Sequence, residues 1–195
     1  MTLLTLVRHG QTDWNLAKRI QGTTDIALND TGRADARWAA GRLGGTTHHT
    51  IYASPLVRAR ETAEIIAAEL GLDAPTLVHD VREREFGEGE GMLVADYIRT
   101  YGDWHAEVPG AETLEQVGVR AMAALHRIAR EARRRSAPTA ESVIVVTHGG
   151  VIRSLIDHVS GGTLPRLGDV LANGSVHRFE ASPGSLRLLE EAVVL

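Results

Sequence analysis

The chain has 195 residues, 43% of them hydrophobic and 24% charged, a size and balance that suit one globular domain spanning residues 1–195. It has no cysteine, which excludes disulfides, thiol nucleophiles, iron–sulfur clusters and cysteine-based zinc sites together. A net charge of −4 argues against nucleic acid as a partner, and no apolar run reaches the ~18 residues that would imply a membrane span.

In chain order, residues 3–7 (Leu-Leu-Thr-Leu-Val) read as a buried strand. Arg8 follows at once, so this opening is too short and wrongly flanked for a signal peptide, and the expected location is cytoplasmic. A helix is expected over 31–43, a strand over 50–53 and a helix over 55–70, with Ser54 as its N-cap and Pro55 in its first position. A weak strand over 76–78 and a short helix over 95–101 come next. The longest helix, 114–135, carries one apolar stripe of Leu114, Val117, Ala121, Leu125, Ile128 and Ala132. Thr113 and Gln116 give it a capping box, and Arg133-Arg134-Arg135 suits the negative end of its dipole. Residues 142–147, centred on Val143-Ile144-Val145-Val146, form the clearest strand, and a helix over 150–159 stops at Gly161-Gly162. The tail reads as a strand over 175–180, a turn at Pro183-Gly184 and a strand over 185–190. Strands alternating with helices predict an α/β fold: a three-layer α/β/α sandwich whose mostly parallel central sheet has helices on both faces. A small lid, about residues 92–112, would sit over the carboxyl ends of the strands.

The chemistry gathers at those carboxyl ends. Leu6-Val7-Arg8-His9-Gly10 and Val145-Val146-Thr147-His148-Gly149 each run an apolar strand straight into His-Gly. In an open α/β sheet this edge is the ligand crevice, and a glycine after the histidine lets backbone amides approach a ligand. One such histidine reads most simply as a hydrogen-bonded strand end; two in equivalent positions shift the balance to a site. The second strand leads into Ser54-Pro55 and a helix start suited to anions, with Arg58 in its first turn and able to reach over the crevice. Past the third strand, Glu83 brings a carboxylate to the same edge. Two imidazoles, two guanidiniums, a helix N-terminus and a carboxyl suit a phosphoryl group: donors for its oxygens and a nucleophile for its phosphorus. Only Lys18 among the 21 basic residues is a lysine, and its surface turn sets Schiff-base chemistry aside.

These blocks resemble the histidine phosphatase superfamily, also called the phosphoglycerate mutase-like family. The resemblance covers most of the chain. It runs from Arg8-His9-Gly10-Gln11-Thr12 with Asn15, through Gln21-Gly22, Leu28-Asn29-Asp30-Thr31-Gly32, Ser54-Pro55-Leu56 and Arg58-Ala59-Arg60-Glu61-Thr62-Ala63. It continues with Glu83, Phe86-Gly87, Pro109-Gly110-Ala111-Glu112-Thr113 and Thr147-His148-Gly149-Gly150. It implies a phosphomonoesterase of the histidine acid phosphatase type acting on a small phosphorylated metabolite. His9 would be the nucleophile forming a phosphohistidine; Arg8, Arg58 and His148 its phosphate clamp; Glu83 the proton donor and later the base. Asn15, Gln21, Gly22 and Gly149 would line the substrate side. No metal and no cofactor are implied. Homo-oligomer formation is left open.

Two departures stand out. Many phosphatases of this group carry a Phe-Gly-x-Trp-Glu-Gly string, where this chain reads Phe86-Gly87-Glu88-Gly89-Glu90-Gly91, which predicts a more flexible and acidic solvated turn. Glycolytic mutases carry Glu-Arg-His-Tyr-Gly and a long insertion before the second histidine. Here the string is Glu83-Arg84-Glu85-Phe86-Gly87 and the interval is 148 − 83 = 65 residues. The short lid would shield a phosphohistidine from water poorly, so hydrolysis is favoured over a cofactor-dependent mutase reaction. A metal-dependent hydrolase is disfavoured because no His-x-x-x-His spacing occurs, although His48-His49 tempts one. A non-catalytic phospho-ligand binding module remains the alternative of a different class. Tyr97, Tyr101, Trp104 and His105 in the lid would either touch the substrate or pack against the body.

Overall fold

A computed structural model describes residues 1–138, 141–166 and 169–190. Six strands, β1 (Thr2–Arg8), β2 (Thr50–Ala53), β3 (Thr76–Leu77), β4 (Ser142–Thr147), β5 (Val176–Ser182) and β6 (Ser185–Glu190), form one sheet in the order β3-β2-β4-β1-β5-β6. The first four are mutually parallel, with β4 registered on β1 from Leu3↔Ser142 to Arg8↔Thr147. The tail hairpin β5–β6 closes the edge antiparallel to β1.

Helices lie on both faces: α2 (Asp30–Leu43) and α3 (Val57–Leu70) on one, α5 (Leu114–Ser136) and α6 (Gly149–Ser160) on the other. The side-chain alternation of β4 serves both layers, Val143 and Val145 packing toward α5 and α6, Ile144 and Val146 toward α2 and α3. That explains why all six of its residues are buried and why it read as an unbroken apolar run. The Thr113–Gln116 capping box opens α5 as expected, and the three arginines occupy its last turn.

Two local expectations are corrected. Ser54 does not cap α3: the helix starts at Val57, Leu56 is its N-cap without a side-chain bond, and the Val57 N–H goes to Asp25 Oδ1 at 2.7 Å. The Ser54 hydroxyl lies 2.7 Å from His148 Nε2 and accepts only the Leu56 N–H, at 3.3 Å, one residue ahead of the helix. A four-residue helix, α1 (Asp13–Leu16), also goes unpredicted; Thr12 and Asn15 form its capping box.

The lid contains α4 (Val94–Tyr101) and a third apolar cluster of Ile20, Phe86, Tyr97 and Val108, with Met92, Val94, Tyr101 and Trp104 packed around it. Tyr97 stacks on Trp104 with centroids 5.1 Å apart and meets Phe86 edge-on at 6.1 Å. The glycine-rich turn is only partly solvated: Glu88 is exposed, whereas Gly89 is packed inward. Gly89 is buried because the Tyr97 ring fills the space where a side chain at 89 would go. Among the described residues, no helix is long and apolar enough to cross a membrane.

Candidate active site

Because β1 and β4 are in parallel register, the residues just past their ends emerge side by side. The His9 N–H donates to the Thr147 carbonyl at 2.9 Å, and the His9 and His148 rings lie 5.1 Å apart, centroid to centroid. The first turn of α2 packs directly behind this point. A β-carbon at Gly10 would collide with the Gly32 carbonyl, and one at Gly32 with that of Gln11, so glycine is required at both.

His9 is 2% exposed, and its Nδ1 lies 2.7 Å from the Gly10 carbonyl, which can only accept. The ring proton therefore sits on Nδ1, leaving the Nε2 lone pair free. Burial first, then the charges of Arg58 and Arg8, holds the His9 pKa well below the usual imidazole value. Burial and the Arg58 charge also depress His148, whose Nε2 pairs with Ser54 Oγ at 2.7 Å. Ser54 was missed as a site residue. Its place one residue past β2, the parallel neighbour of β4, was the available signal.

Arg58 is fully buried, a layer deeper than a side chain reaching over the crevice. Its Nη1 donates to the Thr24 carbonyl at 2.9 Å and Nη2 to the Gly22 carbonyl at 2.7 Å. Arg8 donates through Nη1 to the Leu171 carbonyl. Arg8 Nε, Arg58 Nε and His148 Nδ1 are buried without a hydrogen-bond partner. Each such orphan costs roughly 1–3 kcal/mol, a cost an entering anion would offset. Glu83 is held by two backbone donors, Arg84 N–H to Oε1 at 2.9 Å and Gly150 N–H to Oε2 at 3.2 Å; only a glycine at 150 leaves room for the carboxyl.

A cavity of about 350 Å³ opens over these groups. Of the expected site residues, Arg8, His9, Asn15, Gln21, Gly22, Glu83 and Gly149 line it, whereas Arg58 and His148 are not among its lining residues. Phe86, Val94 and Trp104 form the opposite, apolar side. Of the lid aromatics, Trp104 both packs and lines the cavity, Tyr97 and Tyr101 only pack, and His105 is exposed. Asn173, unforeseen, donates to the His9 carbonyl at 3.0 Å and to Asn15 Oδ1 at 3.2 Å, tying the two loops together. His48 and His49 lie at the other end of the sheet, where both hydrogen-bond Ser142.

Residues 4–193 match the description "Histidine phosphatase superfamily (branch 1)". The chain belongs to the histidine phosphatase superfamily. It is 36% identical over 188 residues to the uncharacterized phosphatase PhoE of Bacillus subtilis (strain 168), covering 96% of this chain and 93% of that one. It is also 36% identical over 166 residues to a metal-independent phosphoserine phosphatase of Arabidopsis thaliana, covering 80% and 67% of the two chains. The solved structure of a mycobacterial glucosyl-3-phosphoglycerate phosphatase, complexed with VO3, superposes with a TM-score of 0.82 at 25% identity over 97% of each chain. Relatives named phosphoglycerate mutases occur as well. As a phosphatase of this superfamily, the chain is a hydrolase of phosphomonoesters.

Proposed function

We propose that the chain hydrolyses small phosphorylated metabolites in two steps through a phosphohistidine on His9, without a metal ion. The carrying observation is the His9 imidazole, oriented by Gly10 and kept uncharged by burial and two guanidiniums. In the first step the Nε2 lone pair forms the N–P bond while the ester P–O bond breaks, and the Glu83 carboxyl gives its proton to the departing oxygen. In the second, Glu83 takes a proton from water as the water oxygen attacks phosphorus. The N–P bond breaks and inorganic phosphate leaves.

Arg8 and Arg58 supply the positive charge that the phosphoryl oxygens need in the transition state, the task a metal ion performs in other hydrolases. Ser54 Oγ already accepts the Leu56 N–H at 3.3 Å, so its own proton can go to His148 Nε2. His148 Nδ1 then carries a proton for a phosphate oxygen. Asn15, Gln21, Gly22 and Gly149 line the path of the leaving group. Hydrolysis rather than mutase chemistry is supported by the two relatives at 36% identity, both named phosphatases. Phosphorylated metabolites are charged and retained by membranes, so the cytoplasm is the setting this reading gives, within a single domain of residues 1–195.

The test is rapid quenching with 32P-labelled substrate in the presence of EDTA. An acid-labile, alkali-stable phosphoprotein mapping to His9 is expected, with turnover unchanged by EDTA and lost in His9→Ala. A label elsewhere, or activity that EDTA removes and a divalent ion restores, overturns the mechanism.

A further inference from the structure

The acidic glycine-rich turn that follows Phe86 has no part in the chemistry above, yet it is laced to the segment before it. The Gly91 N–H donates to the Ile20 carbonyl at 2.9 Å, the Ile20 N–H to the Met92 carbonyl at 2.9 Å, and the Val94 N–H to the Lys18 carbonyl at 2.8 Å. Arg19 adds a side-chain bond to the Gly91 carbonyl. One side chain of the turn reaches further. Glu90 Oε1 accepts the Thr24 backbone N–H at 2.6 Å and the Thr24 hydroxyl as well. Glu90 Oε2 lies so close to Gly22 that a β-carbon there would strike it, and Gly22 holds φ +54°, a left-handed conformation that favours glycine.

Gly22 and Thr24 are the two residues whose carbonyls hold the Arg58 guanidinium. An unbroken chain of short hydrogen bonds thus runs from the lid turn through the 22–24 loop to a buried cation beside His9. We propose that Glu90 is a positioning residue for Arg58: by pinning Gly22 and Thr24 it fixes the carbonyl fork that orients the guanidinium toward the phosphoryl group. The proposal rests on the phosphate role given to Arg58 above.

The physical case is one of degrees of freedom. A fully buried arginine has lost its rotamer freedom already, and its aim is set by whatever accepts its N–H groups. Two main-chain carbonyls on an unsupported loop would aim it loosely. Glu90 removes that looseness with three contacts from one carboxylate, and its negative charge, with those of Glu83 and Asp25, favours the charged guanidinium against the cost of burial. Tyr97, packed against Gly89, and Pro109, whose carbonyl accepts the Glu88 N–H at 3.1 Å, hold the turn from behind. The glycines of this turn allow the close approach that lets Glu90 reach across.

A double-mutant cycle tests this, because a residue acting through Arg58 has no effect once Arg58 is gone, whereas a general structural role costs the same in either background. Orthovanadate affinity by calorimetry and kcat/KM for p-nitrophenyl phosphate are measured for Glu90→Ala and Glu90→Gln, in the natural chain and in Arg58→Ala. Glu90→Ala is expected to lower both by about tenfold in the natural chain and by less than about twofold in Arg58→Ala. Glu90→Gln, whose amide oxygen still accepts from Thr24, should retain most of both values. Equal losses in the two backgrounds, or a Glu90→Gln variant as impaired as Glu90→Ala, overturn the proposal. If Arg58→Ala binds orthovanadate normally, the phosphate role of Arg58 itself fails, an outcome distinct from the other two. Should Glu90→Ala not fold, Glu90→Asp, one methylene short of Thr24, takes its place in the same cycle.

Discussion

On the sheet side of the cavity, His9, Arg58 and His148 are almost wholly buried, and with Arg8 they leave three polar atoms without partners. On the lid side, Phe86, Tyr97, Tyr101 and Trp104 form an aromatic cluster with ring centroids 5.1–6.2 Å apart. The first wall accumulates electrostatic cost and can be relieved by one kind of ligand, an anion with several oxygens. The second offers apolar area and little directional bonding, so it discriminates weakly, by contact with whatever the phosphoryl group is attached to. On the function proposed above, one cavity combines a stringent phosphate seat with a tolerant leaving-group side, and each should fail in its own way when altered.

After the loss of turnover expected in His9→Ala, the largest effect is expected at Glu83, the proton donor proposed for the leaving oxygen. Glu83→Gln should slow hydrolysis of an alkyl phosphate by about 10²–10⁴-fold, the range for loss of a general acid. With p-nitrophenyl phosphate, whose leaving group departs without a proton, the first step should slow far less. Burst kinetics separate the steps, and equal losses in the first step on both esters would deny Glu83 that role. The comparison itself is probed more sharply by Trp104→Ala. Removing an aromatic wall should raise KM for aryl phosphates by about tenfold, with a smaller change in KM for a compact alkyl phosphate. If both KM values rise equally, the lid acts on the phosphate end and the two walls are not independent.

The difference between the walls also decides what could be seen in advance. The sheet side was legible because parallel strands bring residues at their carboxyl ends to one edge, so two His-Gly endings at β1 and β4 had to converge. Glu83 followed from the third strand by the same logic. The depth of Arg58 was not legible: its place in the first turn of α3 follows from the helix start, but its burial depends on the 22–24 loop, more than 30 residues away. Asp25, which takes the α3 N-terminal N–H, and Asn173, which reaches the His9 carbonyl, are likewise through-space partners with no periodic signature. On the lid side, sequence offered a glycine-rich turn and scattered aromatics. That Tyr97 fills the place of a side chain at Gly89 required the packing itself.

The smallest catalytic effect is expected from pH, and its sign differs for activity and for stability. Burial and the neighbouring guanidiniums hold His9 well below the ordinary imidazole range. Its reactive uncharged form therefore persists as pH falls, where an imidazole of ordinary pKa near ~6.5 would be about tenfold depleted at pH 5.5. With p-nitrophenyl phosphate, whose leaving group needs no proton from Glu83, the rate of phosphoenzyme formation, corrected for substrate ionisation, should thus change less than about threefold between pH 7 and 5.5. A tenfold fall with an apparent pKa near 6.5 would show that His9 is not so shielded. Stability moves the other way. Burial lowers His48 and His177 to about 4, and His9 and His148 are depressed too, so below the unfolded value near ~6.5 the unfolded chain binds protons that the folded one refuses. Stability is then intact above about pH 6.5 and is lost progressively as pH falls toward 4, by up to roughly 3 kcal/mol each for His48 and His177. Against a total of about 5–15 kcal/mol, unfolding rather than titration of the proposed nucleophile is therefore expected to set the acid limit. Thermal melts and single-turnover rates on the same pH series separate the two: the melting temperature should fall while the rate at 25 °C holds.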